Sequence, residues 1–491
     1  MVKGKGNPSL GGEAVRLTLS KVITLCITMI TTMLLSRFRT TEEYGTYSQL
    51  LLVINLFTTL IMLGLPNSIN YFLARAEDEE ERRNFLSVYY TLSTILSIII
   101  GTVLVLGIPI IESYFHNNSI SKFYYFLALY PWASIVSASI ENILVVYKKT
   151  NFLMAYRVVH SAALLLAVLV VQWLGYGFEM YMIIFVIVNC LFGLSVYVIC
   201  SRLSGGISVR FDNKIIKAVF AFSVPIGLAT VVGTLNAEID KLLIGYLMNT
   251  EQLAIYTNAA KELPVAIVAS SITAVLLPQL TRMVKKGETK DAVALWGYAT
   301  ELALIVISLI VAGVFTYAEE ALTFLYSAKY LPGVSVFRVY TLNLILRCTY
   351  FGILLNAYGK TKQIFYCSVL SLALNVVLNP LFYWMFGMIG PAIATFISLL
   401  VVLLLQLFMT AKLMDIRFRD VFPWSKSAIV IGLNILIATV FFFVKRILPI
   451  ETYVGSIGEA LLLGAVWSFL YFLLMRKKMR LAWNKLNHTG V

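Results

Sequence analysis

Charge is in short supply in this chain. Asp, Glu, Lys and Arg make up 13% of its 491 residues, about half of the ~25% usual in a soluble domain. Too few polar side chains remain to cover a soluble fold of this length, which excludes a soluble enzyme and a disordered protein. Cysteine numbers five, at Cys26, Cys190, Cys200, Cys348 and Cys367. All lie in apolar segments and none has metal-ligand spacing, so disulfide and zinc frameworks are excluded. Histidine numbers three, at His116, His160 and His488. No triad or metal constellation forms around them, so no catalytic residue and no metal ligand is assigned. Short alternating strands of the outer-membrane barrel type are also missing.

What the chain has is apolar length. Hydrophobic residues make up 59%, and the mean hydropathy is +0.85. A spanning helix needs about 20 mostly apolar residues. Fourteen such runs are expected, at about 15–36, 45–72, 84–110, 122–147, 151–174, 178–202, 214–247, 252–280, 291–316, 335–358, 362–385, 389–412, 426–446 and 454–475. The fold class is therefore an all-α polytopic membrane protein. The N-terminal run has no small-residue cleavage site and reads as an uncleaved first helix.

The net charge of +14 suits nucleic acid less well than basic loops, because Lys and Arg sit between spans. With the N-terminus inside, the inner segments collect most of them: Lys3 and Lys5, Arg75 to Arg83, Lys148 and Lys149, Arg202 to Lys217, Arg282 to Lys290, Lys360 and Lys362, Lys412 to Lys426, and Arg476 to Lys485. The outer segments hold only Arg37, Arg39, Lys122, Lys241, Lys329, Lys445 and Arg446. The bias predicts a multi-pass protein of the inner or plasma membrane with both termini cytoplasmic and no nucleic-acid partner.

Two strings recur. Thr41-Glu42-Glu43-Tyr44-Gly45-Thr46-Tyr47-Ser48 is echoed by Thr250-Glu251-Gln252-Leu253-Ala254-Ile255-Tyr256-Thr257, an offset of 209. Tyr147-Lys148-Lys149-Thr150 is echoed by Tyr358-Gly359-Lys360-Thr361, an offset of 211, which also sets Trp173 on Trp384. Six helices separate the copies, so the halves share an orientation. The expected organisation is a six-helix bundle over 1–210, a pseudo-symmetric second one over 211–415, and two extra helices with a basic tail over 416–491.

At these residues the chain resembles the polysaccharide repeat-unit flippases, a branch of the superfamily that also holds lipid II flippases and multidrug and toxin extrusion transporters. Leu34-Leu35-Ser36-Arg37 with Glu43 to Ser48, Leu63-Gly64-Leu65-Pro66, Leu355 to Thr361 and Asn375 to Pro380 carry the resemblance. It implies translocation of an undecaprenyl-pyrophosphate-linked oligosaccharide from the inner to the outer leaflet. Its partners would be that lipid-linked oligosaccharide, membrane lipids, a glycan polymerase and glycosyltransferases.

A charge at mid-membrane costs about 2.5–3.5 kcal/mol on insertion scales, so it usually faces a cavity or a partner. Lys21, Glu141, Arg157, Glu238, Asp240, Lys261, Glu262, Glu301, Arg347 and Glu459 are such charges. Snorkelling or a structural ion pair is the plain alternative for each. Lys21, Arg37, Arg157, Lys261 and Arg347, with Asn258 and Asn343, are the candidate cationic cavity. Lys21, Thr24, Thr28 and Thr31 form a polar stripe; Asn258 with Lys261, and Asn343 with Arg347, are expected to share helix faces. The basic positions have uncharged counterparts across the repeat, which an asymmetric anionic ligand explains.

Pyrophosphate suits Lys and Arg, and sugar faces suit aromatics such as Tyr130, Trp132 and Tyr350. The seventh span would run about 50 Å if straight. Pro225, Gly227 and Gly233 make it a hinge on one reading and a protruding end on another. No cofactor is expected. An ion gradient, with Glu238, Asp240, Glu262 or Glu301 carrying protons or sodium, and a consuming reaction outside remain alternative sources of drive. Rival functions are a drug/cation antiporter of the same superfamily, whose cavity should be acidic, and a polytopic glycan polymerase or ligase, which needs a sizeable outer loop.

Overall fold

The computed structural model describes residues 10–448 and 450–489. Lys3 and Lys5 lie outside them. Among the described residues every regular element is a helix. The α-helices are α1 Leu10–Phe38, α2 Thr41–Met62, α3 Leu65–Arg75, α4 Glu79–Leu106, α5 Ile108–Phe115, α6 Tyr124–Val146, α7 Thr150–Trp173, α8 Phe178–Leu203, α9 Asn213–Leu247 and α10 Thr250–Ala259. They continue with α11 Ala266–Lys285, α12 Thr289–Thr316, α13 Ala318–Tyr326, α14 Val334–Leu346, α15 Ile353–Ala357, α16 Thr361–Phe386, α17 Gly390–Met414, α18 Phe418–Val421, α19 Trp424–Ile447 and α20 Glu451–Thr489.

Twelve segments of the described chain are long and apolar enough to cross a membrane. One of them, Thr361–Met414, holds both α16 and α17. The α14–α15 pair is too interrupted to qualify alone and completes the expected fourteen. The chain is a multi-pass membrane protein.

It divides into two compact units, Met1–Ala254 and Ile255–Val491. In the first, α4, α6 and α8 pack together and α1 lies along α7. The helix α9, placed by the repeat at the head of the second bundle, packs on α2 and α3 in the first. Its N-cap is Asp212, whose carboxylate accepts from the backbone amides of Ile215 and Lys214. Those bonds hold the Asp212 carboxyl below its usual range. The second unit is built around α12, against which α11, α14, α19 and α20 pack, with Trp296 fully buried.

Four expected spans are interrupted; the third, expected over 84–110, is so only at Gly107 between α4 and α5. The second ends at Met62; Leu63 and Gly64 follow with φ of 39° and 74° before α3. The eighth, expected over 252–280, stops at Ala259 and resumes at Ala266. Pro264 has no N–H to donate and disfavours helix at Leu263, which weakens the ladder there. The tenth, expected over 335–358, is open from Arg347 to Gly352. The last apolar span extends the other way, with α20 continuing through the basic tail to Thr489.

The repeated strings share local geometry. Thr40 and Glu43 cap α2 reciprocally: the Glu43 amide donates to the Thr40 hydroxyl, and the Thr40 amide to the Glu43 carboxylate. At the offset of 209, the Gln252 amide donates to Asn249 Oδ1 and the Asn249 amide to Gln252 Oε1. The second pair matches as closely. The Lys149 amide reaches Leu144 O at 2.8 Å and the Lys360 amide reaches Leu355 O at 2.8 Å. Lys148 stands at φ 55° where Gly359 stands at φ 70°. Trp173 and Trp384 are both about 85% exposed, as interface aromatics are.

A side chain at positive φ is strained, and Gly359 shows what the turn prefers. Lys148→Gly is therefore expected to raise stability by about 1 kcal/mol, read as a higher unfolding midpoint in detergent; Gly359→Ala should lower it by a similar amount.

Candidate functional site

The basic residues fall into two clusters, one in each unit. In the first unit, Glu141 on α6 binds both Lys21 on α1, at 3.5 Å, and Arg157 on α7. Three helices thus supply two cations to one carboxylate. Arg157 is the more enclosed, with 16% of its side chain exposed, and its Nη1 is buried without a hydrogen-bond acceptor. One turn along α7, the His160 ring pairs with Asn189 Oδ1 at 3.1 Å and lies on Phe192.

The polar stripe of α1 is satisfied from within at two of its three threonines. The Thr28 hydroxyl donates to Thr24 O at 2.9 Å and the Thr31 hydroxyl to Ile27 O at 2.8 Å. Such back-bonding removes the need for water at those two positions, whereas the Thr24 hydroxyl is buried without a partner. Lys21 is the member whose charge needs an outside partner. Arg37 is exposed at the end of α1, apart from the described ion pair at Glu141.

In the second unit the two helix breaks meet. Arg347, just past the end of α14, pairs with Glu262 in the gap between α10 and α11. Lys261 precedes Glu262 in the same gap, so this break carries two basic residues and one carboxylate along the chain. Neither expected shared helix face forms as such: Lys261 and Arg347 lie beyond the last helical residues, while Asn258 and Asn343 stay on α10 and α14. Tyr256 and Tyr340 make an edge contact at 6.4 Å, which holds α10 beside α14. Asn258 is fully buried, and Asn343 is buried with both amide atoms unpaired. A buried, unmet amide is costly and marks a place where a polar ligand can repay it.

Tertiary contacts fix the break at Arg347–Gly352. The Trp296 indole donates to Thr349 Oγ1 at 2.9 Å, and the Phe351 ring lies edge-on to Trp296. The opened backbone borders a cavity of about 590 Å³ lined by Ser270 and Thr273 of α11, by Arg347 and Tyr350, and by Leu399 and Gln406 of α17. It is apolar along most of its wall, with a guanidinium at one edge. Broken membrane helices are commonly where transporters place polar binding groups.

Of the three aromatic candidates for sugar contact, two line cavities. Tyr350 borders the one just described. Trp132 borders a second, of about 510 Å³, in the first unit; its indole lies parallel to Tyr197 and donates to that hydroxyl at 3.1 Å. Tyr130 instead packs on Phe126 and Phe185.

The carboxylates proposed as ion carriers have partners in the structure. Glu238 accepts from Asn55 at 3.2 Å and pairs with Lys241 at 2.8 Å. Asp240 is buried and accepts from the Lys241 amide. Glu301 is buried and pairs with Lys426 at 3.0 Å. Glu262 is the partner of Arg347. On α9 the helix runs through Pro225 without a break. Gly227 serves close approach: a Cβ there would lie 2.1 Å from the Leu63 carbonyl carbon, whereas one at Gly233 would meet nothing within 4 Å. Asn117, first residue of a glycosylation sequon, is buried and donates to Thr46 and Gln49.

Fourteen apolar passes, all helical and falling in two compact units, define a polytopic helical membrane protein. The chain belongs to the family described as polysaccharide biosynthesis protein, whose profile matches residues 34–336. It is 25% identical over 388 residues to an uncharacterized membrane protein of Methanocaldococcus jannaschii, covering 75% of this chain and 90% of that one. Its fold is similar to that of the lipid II flippase MurJ in an inward closed conformation, with a TM-score of 0.74, 16% identity, and coverage of 94% of this chain and 99% of that one. It is also similar to an inward-facing multidrug resistance MATE family transporter, with a TM-score of 0.67, 14% identity, and coverage of 82% and 98%.

Proposed function

We propose that this protein is a flippase rather than an enzyme, moving an oligosaccharide linked through pyrophosphate to undecaprenol from the cytoplasmic to the outer leaflet of the cell's inner membrane. Both termini then lie in the cytoplasm. The observation that carries the reading is the pair of cations on one carboxylate at Lys21–Arg157–Glu141, with Arg347 lining the cavity of the second unit. A drug/cation antiporter needs the opposite sign.

The physics follows from the cargo. Its head is too polar to enter hydrocarbon and its tail too apolar to leave it. Lys and Arg bind phosphate strongly where water is scarce. Apolar wall beside Arg347 suits the adjoining prenyl chain. Alternation of access between leaflets needs two states a few kcal/mol apart, which cargo binding shifts. The drive is an ion gradient acting through Glu238, Asp240, Glu262 or Glu301, or a consuming reaction outside. A glycan polymerase and glycosyltransferases act on the same lipid-linked chain.

The test uses a strain whose surface glycan depends on this protein. Lys21→Ala/Arg157→Ala and Lys261→Ala/Arg347→Ala are each expected to cut glycan display more than tenfold while the protein stays in the membrane at normal amounts. Undiminished display by both variants would defeat the proposal. Drug sensitivity in place of glycan loss would favour the antiporter.

A further inference from the structure

Among the described residues, one buried carboxylate outside both clusters has neither oxygen hydrogen-bonded. Glu459 lies on α20 in the stripe continued at every fourth residue by Leu463, Trp467, Tyr471 and Met475, all buried apolar or aromatic side chains. It is 1% exposed, and neither carboxylate oxygen has a hydrogen-bond donor. An ionised carboxylate without a hydrogen-bond donor is disfavoured in that position.

Its surroundings show what compensates it. On α13, Glu320 is buried and binds Lys445 from the last turn of α19. Glu320 also accepts from the Ser456 hydroxyl at 3.4 Å. Lys445, Glu320 and Glu451 are the charged groups within electrostatic reach of Glu459, and Tyr317 is the neighbouring phenol. Lys445 sits over the Tyr317 ring at 5.7 Å. The one ammonium is thus already engaged by Glu320 and an aromatic face. The α20 backbone leaves helical geometry at Gly455, φ 73°, between Glu451 and the Ser456–Glu459 turn. The cluster lies at the end of α20 remote from its basic tail.

We propose that the buried cluster of Glu459, Glu320, Ser456 and Tyr317 is a site for one monovalent cation, a proton or a sodium ion, which neutralises the second carboxylate. The site belongs to the accessory helices and does not depend on the transport reading. Folded protein binds the cation and the unfolded chain does not hold the cluster, so stability rises with cation activity.

The experiment follows thermal unfolding of the full-length protein in detergent, at constant ionic strength. One series replaces choline by sodium at fixed pH, and the other lowers pH in choline alone. Wild type is expected to gain at least about 2 °C in one series. A gain with sodium identifies sodium; a gain only on acidification identifies the proton. Glu459→Gln, nearly isosteric and neutral, should lose that dependence and start from the stabilised level. An equal dependence in Glu459→Gln, or none in wild type, overturns the site. Wild type in membranes supplies a check without mutation. Dicyclohexylcarbodiimide, which modifies carboxyl groups in apolar surroundings, should label the Glu459 peptide by mass spectrometry. Sodium should suppress labelling if sodium is the ligand. Absence of the adduct under all conditions also overturns the proposal.

Discussion

Arg347→Glu is expected to lower translocation about a hundredfold, equivalent to about 2.7 kcal/mol of lost anion binding. The substitution places a carboxylate beside Glu262 at the edge of the 590 Å³ cavity, where a phosphate would be repelled. The informative variant is the swap, Arg347→Glu with Glu262→Arg. If the pair only joins α14 to the gap before α11, the swap restores activity. If Arg347 faces the cargo, the swap keeps the ion pair and stays defective. Transport of a fluorescent lipid-linked oligosaccharide into the outer leaflet of reconstituted vesicles measures both, and restored transport would assign the pair a structural role.

Gly227→Ala is expected to produce the largest loss of stability, about 3 kcal/mol. Its Cβ would lie 2.1 Å from the Leu63 carbonyl carbon and 2.2 Å from the oxygen, and both partners are backbone. No rotamer change can relieve that overlap. The same change at Gly233 meets nothing within 4 Å and should be neutral or stabilising by up to about 1 kcal/mol, since Ala favours helix. Unfolding midpoints of the two purified variants compare them directly. Equal midpoints would mean that the close approach of α9 to the α2–α3 turn is unimportant.

Much of the fold was legible because apolar length is what a bilayer demands. Fourteen runs map onto the observed passes, and basic loops separate many of them. The helix breaks divide into readable and unreadable cases. Pro264 announces the gap after Ala259. Nothing comparable stands between Arg347 and Gly352; that opening depends on Trp296, more than fifty positions away, holding Thr349. Read as continuous helices, these segments put Asn258 with Lys261 and Asn343 with Arg347 on shared faces that do not form.

The charged residues follow the same division. Lys21, Arg157 and Arg347 stand out in sequence because charges are rare in apolar runs. Their pairings do not, since Glu141 joins residues of three helices and Glu262 reaches across from a different break. Glu459 was visible as a charge but not as an orphan, because its isolation comes from how α13, α19 and α20 close around it. Thr28 and Thr31 of α1 suggest a wet face until their hydroxyls are seen to bond their own helix.

The repeat offset carries Leu63 and Gly64 onto Ile272 and Thr273, which lie inside unbroken α11. The corresponding gap in the later copy comes about ten residues sooner, nearly three helical turns. At this offset the helix breaks that follow the two strings are out of register. A conformational cycle built on them would be lopsided, each copy yielding at its own depth rather than mirroring its twin.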